Sequence, residues 1–205
     1  MSKVRTYQAE GPEVTQLKQQ DQALIPLFDT VGDLQVVGFD DPFHCLMFFI
    51  LNQQISLKAA KTLYERLHAH DIDTPNRVKA TPEDALKALG LSKAKRTTMR
   101  SVAHAAATTW YTRIDTLRRE DLEKALLALP GIGPWTVAMF LMFYRFDEDV
   151  FTVGDLGLRH ALATVLNSPN MSQKAMLLRS KQWAPYRSIV AHYLWAFREG
   201  PNSHL

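Results

Sequence analysis

Apolar residues recur along most of the chain at intervals of three and four, which is the spacing of amphipathic α-helices. Residues 56–70, 92–110 and 120–129 show this pattern clearly. The stretch after Pro42, FHCLMFFILNQQ, is apolar on almost every side and is therefore expected to be a helix buried in the core. About ten helices with short connectors are predicted, so the predicted fold class is all-α.

One short apolar run, Leu34–Val37, has the character of a strand. It lies between Gly32 and Gly38, in a segment that also contains several aspartates, and these residue types favour turns. We therefore interpret residues 31–41 as a connector and assign no strand.

Length and composition describe a globular protein and exclude several kinds of site. The chain has 205 residues, of which 46% are hydrophobic, but no apolar run is long enough to span a bilayer. The first residues lack the apolar core of a secretory signal, so we expect an intracellular protein that binds no membrane. Cys45 is the only cysteine, which excludes an internal disulfide, a cysteine zinc cage and a four-cysteine iron–sulfur cluster.

The net charge of +3 is spread unevenly along the chain. Residues 91–119 carry seven Lys or Arg and one acid, and residues 156–205 carry six Lys or Arg and one acid. Two basic regions on one face would attract a polyanion such as nucleic acid. Basic solvated helix faces are the alternative, and charge alone does not choose between them.

A glycine turn followed by a lone carboxylate is the most distinctive feature of the sequence. Gly131 and Gly133 flank Ile132 directly before a Pro-Trp step that enters a helix. Such a turn can expose backbone N–H groups at a helix N-terminus, where a phosphate would bind. Asp155 follows 22 residues after Gly133, and it is either a functional carboxylate or the N-cap of the next helix.

A polar cluster, Asn52, Gln53, Gln54 and Ser56, ends the apolar stretch that begins after Pro42. Ser56 is suited to cap the following helix, which is the structural interpretation. In the functional interpretation, the amides at this position contact a ligand or insert into a nucleic-acid stack.

Four stretches of the chain, between about Phe43 and Trp195, resemble the helix-hairpin-helix superfamily of DNA glycosylases. Within it, they resemble the alkylpurine branch typified by 3-methyladenine DNA glycosylase II. The stretches are FHCLMFFILNQQISLKAA, ALGLSKAKRTTMRSVA, LPGIGPWTVAMFLM with its sequel VFTVGDLGL, and WAPYRSIVAHYLW. The PGIG turn alone occurs in many DNA-binding proteins, whereas its combination with the later aspartate, the W-x-P-Y-R-S segment and a late tryptophan is specific.

The resemblance implies a monofunctional DNA glycosylase of base excision repair. Such an enzyme flips alkylated purines, 3-methyladenine or 7-methylguanine, out of duplex DNA and excises them by hydrolysis. The catalytic aspartate of the family falls on Asp155. Lyase members carry a lysine just after the second hairpin glycine, where this chain has Pro134 and Trp135, so no strand cleavage is expected. The alternatives are a glycosylase of the same fold for hypoxanthine or ethenoadenine, and a non-catalytic helix-hairpin-helix module that only binds DNA.

The resemblance also implies roles for other residues. The predicted base pocket comprises Trp135, Trp195, Met139 and Tyr144, and core packing is the alternative for each of them. The predicted DNA contacts are Gln53, Gln54, Ser56, Lys93, Lys95, Arg96, Gly131, Ile132, Gly133 and Thr136. No cofactor and no metal site are predicted, apart from the monovalent cation that family members often hold on hairpin carbonyls.

The predicted organisation is one glycosylase unit, 1–205, built from two helical lobes with the active-site cleft between them. The subdomain of about 43–147 contains the hairpin, and a second lobe of about 148–205 packs with the N-terminal segment 1–42. The expected partners are damaged double-stranded DNA and downstream repair enzymes, and the expected state is a monomer. The protein would act in the cytoplasm or nucleoid of a bacterium or archaeon, or in the nucleus of a eukaryote.

Overall fold

The computed structural model describes residues 2–200, and most of them are helical, which confirms the all-α fold class. A single two-stranded sheet, β1 (Ser2–Tyr7) paired with β2 (Leu34–Phe39), is the only sheet among the described residues. The chain divides into two compact units, which are described separately below. Within residues 2–200 no helix is both long and apolar enough to cross a bilayer.

The first unit spans residues 39–140. Its helices are α3 (Pro42–Asn52), α4 (Leu57–Ala69), α5 (Pro75–Ala80), α6 (Glu83–Ala88), α7 (Lys93–Ala105), α8 (Thr109–Thr112), α9 (Arg119–Leu127) and α10 (Pro134–Phe140). The predicted burial of α3 is confirmed, because every side chain from Cys45 to Leu51 is buried. Helix α3 packs against α4, α7 and α10 and is therefore the centre of this unit.

The second unit contains the chain up to Gly38 and from Leu141 onward. Its helices are α1 (Pro12–Gln20), α2 (Ile25–Val31), α11 (Leu156–Val165), α12 (Gln173–Ser180) and α13 (Arg187–Glu199), with a π-helical turn at Leu141–Arg145 and short 3₁₀ turns at Gln22–Leu24 and Lys181–Trp183. Helix α13 packs against α2 and α11 and lies at its centre. The structure divides the chain at residues 38/39 and 140/141, whereas the sequence predicted limits near 43 and 147.

The interpretation of residues 31–41 as a connector was wrong. Leu34, Val36 and Gly38 are buried and alternate with more exposed residues, as in a strand with one buried face. The partner strand β1 lies about thirty residues earlier in the sequence, so local composition alone gave no sign of the pairing. Gly38 is required by close packing, because a Cβ there would lie 2.2 Å from the Phe143 carbonyl oxygen.

A buried carboxylate fixes the N-terminal segment within the second unit. Asp21 accepts two hydrogen bonds from Arg179, at 2.6 and 2.9 Å, and one each from the side chains of Gln182 and Trp183. Because charge-assisted bidentate pairs are strong and directional, this cluster ties the start of the chain to α12 and the 3₁₀ turn that follows it. Trp183 is fully buried beside it.

Candidate active site

The hairpin between α9 and α10 uses its two glycines differently. Gly131 has φ +82°, a left-handed conformation that L side chains rarely adopt, and a Cβ there would lie 1.8 Å from Thr98 Oγ1. At Gly133 the same Cβ would meet no heavy atom of residues 2–200 within 4 Å. Ile132, between them, is buried and anchors the turn. Gly131 is therefore needed to form the turn, whereas Gly133 leaves open space above its backbone.

Gln53 links the end of α3 to this hairpin. Its Nε2 atom donates to the carbonyl oxygen of Gly131 and to Thr136 Oγ1, both at 3.0 Å. Thr136 is only 1% exposed. Gln53 therefore holds the hairpin in place, and the predicted DNA contacts of Gln53 and Thr136 stay predictions.

Gln54 and Ile55 form the exposed tip of the turn between α3 and α4. Gln54 has φ +60°, which is unusual for a residue with a side chain, and both residues are exposed. Ser56 Oγ accepts from the Ala59 amide at 3.3 Å, which confirms the helix-capping interpretation of Ser56. The predicted DNA contacts of Ser56 and Gln54 stay predictions.

The basic residues at the start of α7 divide into an exposed and a buried group. Lys93 is exposed, whereas Lys95 and Arg96 are each 9% exposed. Lys95 Nζ donates to the carbonyl oxygens of Gln53 at 2.8 Å and Ile50 at 3.3 Å, which are acceptors at the C-terminal end of α3. Burial lowers the pKa of Lys95.

Arg96 also donates hydrogen bonds to groups within the protein. Its Nε atom donates to Glu83 Oε1 at 2.6 Å, and Nη1 donates to the Leu91 carbonyl oxygen. Lys95 and Arg96 thus direct these donors to groups inside the protein, and their predicted phosphate contacts stay predictions. The sequence carried a sign of this, since both residues share the helical face of the apolar Met99 and would turn inward with it.

Asp155 is the N-cap of α11, as the structural interpretation predicted. Its Oδ1 atom accepts from the Leu158 amide at 2.8 Å and from Trp195 Nε1 at 3.3 Å. The side chain is half-buried. Two hydrogen-bond donors from different helices thus fix the orientation of this carboxylate.

An aromatic cluster lies beside this carboxylate in the same unit. The Trp195 ring lies 5.7 Å from both Phe143 and His192, and the Phe143 and His192 rings are 5.0 Å apart, centroid to centroid. The sequence identified Trp195 but missed the other two. His192 could have been found, because it precedes Trp195 by three residues on α13. Phe143 could not, because the π-helical turn shifts its register relative to α10.

The remaining predicted pocket residues are distributed between the units. Trp135 is half-buried in the first unit, with its ring 6.0 Å from that of Phe49 in an edge-to-face arrangement. Met139 is buried in the same unit. Tyr144 is buried in the second unit, with Lys3 Nζ 4.5 Å from its ring centroid. Their roles as walls of a base pocket stay predictions.

A family match covers both the hairpin and the segment that carries Asp155. Residues 47–185 match the HhH-GPD family, described as "HhH-GPD superfamily base excision DNA repair protein". The chain belongs to this superfamily. The match includes the second half of α3, the hairpin, Asp155 and α12, so the capped carboxylate and the glycine turn are features of one family domain.

Three HhH-GPD relatives illustrate the similarity. The chain is 33% identical to the putative DNA-3-methyladenine glycosylase YfjP of Bacillus subtilis, over 75% of its own length and 58% of the relative. The structure of a Bacillus halodurans DNA-3-methyladenine glycosidase superimposes with a TM-score of 0.80 at 29% identity, covering 98% of this chain and 95% of that one.

The third relative is the Schizosaccharomyces pombe 3-methyladenine DNA glycosylase Mag1, solved in complex with abasic DNA. It gives a TM-score of 0.84 at 25% identity and covers 91% of this chain and 96% of that one. The chain therefore spans nearly the whole of both solved relatives but only about three fifths of YfjP.

Proposed function

We propose that the protein is a monofunctional DNA glycosylase that removes N-alkylated purines, such as 3-methyladenine and 7-methylguanine, from duplex DNA. The observation that carries this proposal is the Asp155 carboxylate, which lies within the family-matched region and is oriented by the Leu158 amide and the Trp195 indole. Relatives named for 3-methyladenine excision support the choice of substrate class.

The proposed reaction is hydrolysis of the C1′–N bond of a flipped nucleotide. The bond breaks with its electron pair leaving on the base, and positive charge develops on the sugar. The Asp155 carboxylate stabilises that charge, orients the water that adds to C1′ and accepts the proton that this water loses. N-alkylated purines are already cationic and leave readily, so a strong general acid is not required.

We assign the selection of the base to the faces of aromatic side chains. Trp195, held beside Asp155, offers a ring on which an electron-poor purine can stack. Cation–π attraction contributes roughly 0.5–2 kcal/mol per contact, which favours alkylated over normal purines. Phe143 and His192 pack on Trp195 and hold its ring in place.

DNA binding is assigned to the exposed groups of the predicted set. Gly133 leaves open space above its backbone, so a phosphate can approach the hairpin amides there. Gln54, exposed at the tip after α3, is proposed to enter the gap left by the flipped base. Lys93 supplies long-range attraction or a phosphate contact at the start of α7.

Strand cleavage is not part of the proposal. A lyase needs an amine that forms a Schiff base with the sugar. The positions after Gly133 hold Pro134 and Trp135 and offer no lysine. The abasic product would therefore pass to downstream repair enzymes, and we propose that the protein acts as a monomer in the compartment that holds the DNA.

The test is release of free base from methylated duplex DNA. The wild-type protein should release 3-methyladenine or 7-methylguanine without breaking strands. Asp155→Asn should retain the helix cap and DNA binding but lose at least about a hundredfold in rate. Equal release by the variant would remove Asp155 from the mechanism.

Two further outcomes would change the assignment. Release of only hypoxanthine or ethenoadenine would change the substrate class, and DNA binding without any release would indicate a non-catalytic module. A protein–DNA adduct trapped by borohydride would overturn the hydrolytic assignment.

A further inference from the structure

Two consecutive residues at the start of α13 fix the segment that leads to Asp155. Residues 146–155 are irregular and join the π-helical turn to α11. Ser188 Oγ donates to the Asp147 carbonyl oxygen at 2.6 Å and accepts from the Val150 amide at 2.8 Å. The Ser188 amide donates to the Glu148 carbonyl oxygen at 2.8 Å. The first half of the segment is thus bonded to a single turn of helix.

Arg187 adds a bidentate ion pair to these bonds. Its Nε and Nη2 atoms donate to the two carboxylate oxygens of Asp149 at 2.6 and 2.9 Å, and Nη2 also reaches the Asp149 carbonyl oxygen at 3.2 Å. The hydrogen bonds that Arg187 donates to Asp149 raise the pKa of Arg187. A cation in the first turn opposes the helix dipole, so helix stability does not explain an arginine at this position.

Helix α13 also holds the other end of the segment. Trp195, eight residues after Arg187, donates its indole N–H to Asp155. Eight residues correspond to about 12 Å along a helix axis. One rigid helix therefore fixes both the entry of the segment, through Arg187 and Ser188, and its final residue, through Trp195.

We propose that Arg187 is a positioning residue, which acts through Asp149 to hold the segment 147–155 so that Asp155 points at the reacting sugar. This inference rests on the proposed glycosylase function. Misplacement of a catalytic group by about 1 Å can cost a hundredfold in rate without loss of binding. The expected signature is therefore a defect in the chemical step.

The test compares Arg187→Met with a matched control, Arg179→Met. Arg179 also makes a bidentate pair in the same unit, but with Asp21, which lies outside the Asp155 segment. At a temperature where both variants are folded, we expect Arg187→Met to lower the single-turnover rate of base release ten- to hundredfold. Its affinity for a duplex with an abasic-site analogue should change less than threefold, and Arg179→Met should keep its rate within threefold.

Two further variants separate geometry from simple loss of folding. Arg187→Lys keeps the charge without the bidentate geometry and should recover part of the rate. Asp149→Asn removes the charge of the carboxylate that pairs with Arg187, and it serves as the test variant if Arg187→Met does not fold. It should show much of the rate loss that is expected of Arg187→Met. Equal rate losses in Arg187→Met and Arg179→Met, or a loss confined to DNA affinity, would overturn the inference.

Amide exchange tests the inference independently of catalysis. The Leu158 amide is bonded to Asp155 Oδ1 and the Val150 amide to Ser188 Oγ, so their exchange rates report the position of the segment. Arg187→Met should accelerate both at least tenfold, and Arg179→Met should not. If the wild type releases no base, the proposed function fails, while exchange still decides the positioning role. Unchanged exchange at Leu158 would refute that role even in an active enzyme.

Discussion

The two hairpin glycines should respond in opposite ways to the same substitution. Gly131→Ala forces a side chain into a left-handed conformation, which costs roughly 1–2 kcal/mol, and overpacks the space occupied by Thr98, which costs roughly 1–3 kcal/mol. Rotation of the Thr98 side chain moves its Oγ1 atom but leaves its Cβ 2.9 Å from the new methyl group. We therefore expect Gly131→Ala to lower the free energy of unfolding by about 2–5 kcal/mol.

Gly133→Ala is the matched control, because its new methyl group meets no heavy atom of the described residues within 4 Å. It should leave the free energy of unfolding within about 1 kcal/mol of wild type or raise it slightly. If Gly133 is where a phosphate approaches, the same variant should weaken affinity for duplex DNA although the protein is fully folded.

Denaturant unfolding at equilibrium measures both predictions, with DNA affinity measured in parallel. Combining Gly131→Ala with Thr98→Ala should recover part of the loss, because the overpacking is relieved while the backbone strain remains. Equal stability of Gly131→Ala and Gly133→Ala would refute the reasoning from backbone conformation and close approach.

Three other predictions concern the surroundings of single residues. Lys95→Met removes the cation at the C-terminal end of α3 and should lower the free energy of unfolding by about 1–3 kcal/mol. Lys93→Ala should leave the free energy of unfolding within about 0.5 kcal/mol of wild type and reduce the salt dependence of DNA binding. Burial raises the pKa of the Tyr7 hydroxyl from 10.0 to about 12. The unfolded chain therefore loses the hydroxyl proton at lower pH than the folded protein, and the free energy of unfolding should fall as pH rises between those values. Tyr7→Phe should remove this contribution to the pH dependence of stability, as unfolding measured at a series of alkaline pH values would show. Asp155→Ala should lose about 1 kcal/mol of helix capping that Asp155→Asn retains, as thermal unfolding of the two variants would show.

Local patterns predicted the helices well because their determinants are local. The apolar run after Pro42 predicted the buried helix α3, and Ser56 caps α4 as its position suggested. The sheet was missed for the opposite reason. Residues 34–39 become a strand only by pairing with residues 2–7, and the alternation within a single short run does not reveal a distant partner.

The sequence did not predict the directions in which several of the candidate site residues point. Gln53 and Lys95 stand at positions that the resemblance associates with DNA, yet the donors of both bond inward, to the hairpin and to the end of α3. A sequence gives the helical face of Lys95, but it does not give the position of the carbonyl groups at the end of another helix to which a lysine can donate. Phe143 was hidden by the change of helical register at the π-turn.

Asp155 shows why the capping and catalytic interpretations of one aspartate need not compete. An N-cap must hold a side-chain oxygen against the first free amides of its helix, which restricts rotation of the whole carboxylate. A catalytic carboxylate needs the same restriction, because a misdirected charge stabilises the transition state poorly. The Leu158 amide and the Trp195 indole both end on Oδ1, so the cap bond and the aromatic cluster act on one atom. The capping bond of α11 is therefore part of the preorganisation that the proposed chemistry requires.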